Sequence, residues 1–80
     1  PQVLKNVRVT DKTQAQNDAD VRAMVERAAK ELGTDGRILV RESGTEPLVR
    51  VMVEAGNVET CEKYVDAVID VIRSKGYVIE

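Results

Sequence analysis

Arg37-Ile38-Leu39-Val40-Arg41-Glu42-Ser43-Gly44-Thr45-Glu46-Pro47-Leu48-Val49-Arg50-Val51-Met52-Val53-Glu54 is the stretch that decides the fold. Two apolar, β-branched runs, 37–41 and 48–55, flank a short polar segment holding one glycine and one proline. That pattern predicts an antiparallel hairpin with a longer connection than the tightest turns allow. Alternate residues of a strand share a face. Val49, Val51 and Val53 then form an apolar face, and Leu48, Arg50, Met52 and Glu54 point the other way. In the preceding strand Ile38 and Val40 take the core side, and Arg37, Leu39 and Arg41 lie opposite. Arg41 and Arg50 are therefore expected on one side of the sheet, beside one loop.

The loop has the chemistry of an anion site. A phosphate ester needs converging donors and positive charge. Arg41 and Arg50 offer planar forks suited to bidentate contacts. Ser43 and Thr45 offer hydroxyls. Gly44 lacks a Cβ, so it can take a positive φ and turn successive backbone N–H groups toward one point. Pro47 stiffens the exit and lowers the entropy lost when the loop orders on a ligand. Ser, Gly, Thr, Glu and Pro are equally ordinary surface-turn residues, so composition leaves a plain turn open. Glu42 and Glu46 oppose a phosphate unless they point outward. The stretch is not a nucleotide P-loop, because it lacks GxxxxGK[ST] and no helix follows it.

Outward from the hairpin, 80 residues make one small domain. Charged residues are 32% and hydrophobic residues 42%, a globular composition, and no apolar run nears the ~20 residues of a membrane span. The net charge of −2 gives no reason to expect nucleic acid or anionic membrane. A lone Cys61 fits a reducing compartment, and the lack of histidine removes a Ser/His/Asp triad within this chain. The chain begins at Pro1, close to strand-like residues and without an initiator methionine, so it is expected to be a piece of a longer protein.

In order along the chain, Val3 to Val9 reads as a strand suited to a sheet edge, with Val3, Lys5, Val7 and Val9 on one face. Thr10 to Asn17 is polar, lacks periodicity and is expected to be a loop. Asp18 to Leu32 is the clearest helix: Val21, Met24, Val25, Ala28, Ala29 and Leu32 form one stripe, capped by Asn17 or Asp18 and closed by Gly33. Thr34-Asp35-Gly36 is a turn into the hairpin. Asn57 to Lys75 is a second helix whose stripe, Val58, Cys61, Val65, Val68 and Ile72, is flanked by Tyr64, Ile69 and Val71. Asn57 is its N-cap and Gly76 its terminator. Tyr77-Val78-Ile79 can add a short edge strand. The class is α+β, ordered β-α-β-β-α(-β), with two helices on one face of an antiparallel sheet. Pattern alone does not separate this from a ferredoxin-like sandwich. An RNA-recognition-like module shares the order, but here Phe and Trp are absent and the two tyrosines lie on the second helix and tail.

The run Arg41 to Pro47, followed by Leu48-Val49-Arg50-Val51-Met52-Val53-Glu54-Ala55, resembles the C-terminal phosphate-binding loop of the α-D-phosphohexomutases. The likeness rests on seven consecutive loop residues, a second arginine at fixed spacing and the strand end Val53-Glu54-Ala55. A weaker similarity covers nearly the whole chain, including Leu4-Lys5-Asn6-Val7-Arg8-Val9. Gly44-Thr45-Glu46, where related mutases often differ, favours the branch acting on glucosamine phosphates over phosphoglucomutases and phosphomannomutases. The resemblance implies a TATA-binding-protein-like arrangement and makes residues 1–80 the C-terminal domain of a larger cytoplasmic mutase. In that family a phosphoserine in the first domain donates the phosphoryl group, a loop in the second holds Mg2+, and a third domain reads the sugar. The fourth grips the phosphate that is not transferred. Mg2+ and glucosamine 1,6-bisphosphate are thereby implied for the parent enzyme, with phosphate the one ligand expected on this chain. The residues carried over are Arg41, Ser43, Gly44 through its backbone, and Thr45, with Arg50 as orienter or direct ligand. No catalytic residue or metal ligand is expected here. The expected partners are a phosphosugar and the parent's other three domains, not nucleic acid or membrane.

Overall fold

The computed structural model describes residues 1–79. The elements run β1 (Gln2–Arg8), α1 (Lys12–Asn17), α2 (Ala19–Leu32), a 3-10 turn (Gly33–Asp35), β2 (Arg37–Glu42), β3 (Leu48–Glu54) and α3 (Val58–Ser74). The three strands form one antiparallel sheet in the order β1-β3-β2, with β3 central. Val78 makes an isolated antiparallel bridge to Val9, so the expected final strand is reduced to one residue pair. No helix among the described residues is long and apolar enough to cross a membrane.

Side-chain parity builds the core. Val7, Ile38, Val40, Val49, Val51 and Val53 are buried on one face. Against them lie Cys61, Tyr64, Val65, Val68, Ile69 and Ile72 of α3, with Val21 and Ala28 of α2 beside them. Burying a valine fully stabilises by roughly 1.5–3 kcal/mol, so this apolar layer is the main source of stability. The stripes differ from the expectation at two points. Ala29 of α2 and Val58 at the start of α3 are exposed. Ala29 stands on the shoulder of a narrow stripe, and Val58 is the first residue of α3.

Each helix start is capped by a short polar side chain. Asp11 accepts from Gln14 N at 3.0 Å, Asp18 from Asp20 N at 2.8 Å and Val21 N at 3.2 Å, and Asn57 from Thr60 N at 2.8 Å. Gly33 (φ 63°) and Gly76 (φ 82°) end α2 and α3 with the positive φ that favours glycine. The segment 12–17, expected to be a loop, is the helix α1. With six residues and only Ala15 buried it has no room to show a stripe. Its signal was the Asp11-x-x-Gln14 spacing of a capped start.

Asp18 also holds the tail. Its carboxylate accepts from Tyr77 Oη at 2.7 Å, and Lys75 Nζ stands 3.9 Å away. The Tyr77 bond comes first, then the capped N–H groups and Lys75; together they hold the Asp18 carboxyl below the ordinary carboxylate range against partial desolvation. A lowered acid pKa stabilises the fold above the unfolded-state value and is lost as pH falls through the folded one. Asp18→Asn is expected to be less stable than the parent at neutral pH. The gap should close as pH falls below about 4, read as thermal midpoints across pH. A gap that stays constant down to pH 2 would assign the loss to geometry rather than charge.

Gly36 tests the packing at the mouth of the hairpin. A Cβ there would stand 2.5 Å from the backbone oxygen of Glu54, whereas one on Gly44 meets nothing within 4 Å. Gly36→Ala is expected to cost about 1–3 kcal/mol in denaturant unfolding. Gly44→Ala should stay within about 0.5 kcal/mol.

Candidate anion site on the β2–β3 hairpin

The open face of the sheet is laid out in cross-strand rows. Arg41 is the direct partner of Arg50, and Arg50 of Asn6. The next row is apolar: Leu4, Met52 and Leu39. Beyond it Arg37 faces Glu54 and closes an ion pair at 2.6 Å. In the other direction Arg8 lies opposite Leu48, whose carbonyl accepts from Ser43 N at 2.9 Å. Arg41 and Arg50 therefore share a face, as parity predicts, and the register sets them directly across from one another. Both are exposed. They border an open recess of about 290 Å³, floored by Leu4, Leu39 and Met52 and flanked on its far side by Arg37.

Like charges directly opposite on a sheet destabilise it. Here the repulsion is not relieved by carboxylates. Arg50 Nε donates to Asn6 Oδ1 at 3.2 Å, a neutral acceptor, and among the described residues no side chain pairs with Arg41. The forks stay available to an external anion.

The loop beyond these arginines is ordered by its own hydroxyl. Ser43 Oγ accepts from Glu46 N at 3.2 Å and Thr45 N at 3.4 Å, and Leu48 N donates to Glu46 O at 2.8 Å. Pro47 O accepts from Val9 N at 2.9 Å, which ties the loop exit to the end of β1. Gly44 does not take the positive φ that the sequence reading allowed; among the described residues only Gly33 and Gly76 do. The serine turn already points the Thr45 and Glu46 amides at one oxygen, so no left-handed residue is needed. Ser43 is half-buried, and Gly44, Thr45 and Glu46 are exposed. The structure thus brings Arg41 and Arg50 together on the sheet. It gathers Ser43 and the Thr45 amide in the loop two residues past Arg41. The recess itself is lined by sheet residues, not by the loop.

Three contacting residues were absent from the sequence reading because α1 was. Lys12 Nζ donates to Ser43 O, Thr13 Oγ1 donates to Glu42 Oε2, and Glu42 N donates to Gln16 Oε1, each at 2.6 Å. Among the described residues no group of three or more His, Cys, Asp or Glu side chains could hold a metal ion.

Comparison with known proteins follows the same outline. A family profile described as phosphoglucomutase/phosphomannomutase, C-terminal domain, matches residues 4–71. The chain is 80% identical over 79 residues to a phosphoglucosamine mutase of Lachnospira eligens, covering 99% of this chain and 18% of that protein. It is 53% identical over 75 residues to the phosphoglucosamine mutase of Bacillus subtilis, covering 94% and 17%. Among solved structures, an Aspergillus fumigatus N-acetylphosphoglucosamine mutase superposes with a TM-score of 0.76 at 24% identity, over 95% of this chain and 16% of that one. An N-acetylglucosamine-phosphate mutase of the alpha-D-phosphohexomutase superfamily, solved in its product complex, gives 0.72 at 26% identity over 89% and 15%. The chain therefore spans less than a fifth of the length of these relatives. With a profile match across most of its length, and the α+β fold shared with these mutases, the chain belongs to the phosphoglucomutase/phosphomannomutase C-terminal domain family.

Proposed function

We propose that residues 1–80 are the phosphate-holding C-terminal domain of a multidomain phosphoglucosamine mutase. That enzyme interconverts glucosamine 6-phosphate and glucosamine 1-phosphate, in supply of UDP-N-acetylglucosamine for the cell wall. The observation that carries this is the Arg41–Arg50 pair: two cations held directly across from one another at the foot of a hydroxyl-bearing loop, with no carboxylate partner among the described residues. Such a pair weakens the isolated sheet and strengthens it once an anion bridges the forks.

Arg41 supplies a bidentate contact, and Arg50, oriented by Asn6, a second one. Ser43 donates its hydroxyl proton. The Gly44 N–H and the Thr45 hydroxyl complete the set, while the Thr45 N–H donates within the loop to Ser43 Oγ. None of these donors is specific for a ring, so they suit a phosphate that arrives in either of two sugar orientations as a bisphosphate intermediate turns over. Binding energy from this remote phosphate positions the reacting one. The phosphoserine, Mg2+ and sugar-reading loop belong to the other domains of this cytoplasmic enzyme, and the domain alone has no turnover. The high identity to relatives named phosphoglucosamine mutase supports the glucosamine branch over other phosphohexomutases.

An amide NMR titration tests the binding step. Ser43, Gly44 and Thr45 amides should shift with glucosamine 6-phosphate and with inorganic phosphate, and not with glucosamine. In the full-length enzyme Arg41→Ala should lower kcat/KM by about 10- to 100-fold, the loss of a charge-assisted contact of about 1.5–3 kcal/mol. An unchanged kcat/KM would remove Arg41 from the site.

A further inference from the structure

Glu42 stands in sequence between Arg41 and Ser43, and it is the acceptor that an anion at this loop would resent most. Strand parity sends its side chain to the helix side of the sheet, at the rim where α1 lies. There α1 engages two consecutive residues three times. Thr13 Oγ1 holds the Glu42 carboxylate, Gln16 Oε1 takes the Glu42 N–H, and Lys12 Nζ takes the Ser43 carbonyl, each at 2.6 Å. Glu42 and Lys12 are half-buried in this arrangement. The two acceptors at the base of the loop are thereby turned toward a helix, and the opposite side of the strand keeps its donors.

We propose that α1 works as a guard for the anion site, with Thr13 a positioning residue that keeps the Glu42 carboxylate away from a bound phosphate. This rests on the phosphate reading of the loop. Released from Thr13, the carboxylate at the strand end would swing freely about the loop base and weaken phosphate binding by through-space repulsion, although parity keeps it off the face of Arg41 and Arg50. Lys12 adds to the guard by occupying the Ser43 carbonyl, and it brings a third positive charge to the loop base without a carboxylate partner among the described residues.

The test is a titration of inorganic phosphate into the chain, followed by loop amide shifts, for the parent, Thr13→Val, Glu42→Gln and the double variant. Thermal unfolding runs in parallel. Thr13→Val should bind phosphate about two- to fivefold more weakly, the scale of exposed charge interactions. Glu42→Gln should bind at least as well as the parent, and the double variant should match Glu42→Gln. That rescue separates electrostatics from structure: if Thr13 merely supports α1, the double variant stays as weak as Thr13→Val and the proposal falls. It falls equally if Thr13→Val binds like the parent. If the parent's loop amides do not respond to phosphate at all, the phosphate reading itself fails, and the guard with it.

Discussion

The contact between the valines of β3 and the apolar stripe of α3 holds the rest of the domain in place. β3 has a strand on either side, and Val49, Val51 and Val53 are fully buried beneath α3. Two amphipathic helices cover one face of a three-stranded sheet and leave the other bare. On that open face only Leu48 and Met52 are buried, and the other side chains stand on a backbone fixed from the helix side. That is a suitable base for a loop whose donors must stay put when a ligand arrives.

On that face charge is arranged unevenly along the hairpin. At the far end Arg37 and Glu54 neutralise one another. Toward the loop the equivalent cross-strand position holds two arginines. Between them the row Leu4–Met52–Leu39, with Leu4 46% and Leu39 37% exposed, separates the neutral row from the cationic one. In a chain of net charge −2 the positive potential is therefore local, produced by register rather than by composition.

Much of this was readable from the residues. The period of two in 37–41 and 48–55 placed Arg41 and Arg50 on one face beside one loop, and the polar caps and following glycines bounded α2 and α3. What escaped did so for physical reasons. A helix of six residues buries one side chain and leaves no periodicity, so α1 and with it Lys12, Thr13 and Gln16 were invisible. Gly44 invited a left-handed turn, but a serine hydroxyl that collects two amides orders the loop with ordinary backbone angles and keeps those amides within the loop. Ala29 and Val58 fit their helical stripes by count yet are exposed, since they stand at the margin of one stripe and at the first residue of the other.

The strand order has a consequence for how the chain is made. β1 leaves the ribosome first, but its partner is β3, and α1, α2 and β2 are all synthesised in between. The hairpin of β2 and β3 can close locally, whereas adding β1 means closing a long loop. Even the completed sheet has an uncovered valine face until α3 has followed. A nascent chain that stalls before Val58 would display that face beside unpaired strand edges, the kind of surface that chaperones hold and other chains adhere to. The moment of greatest hazard falls after β3 and before α3 in the synthesis of these elements, and α3 ends it.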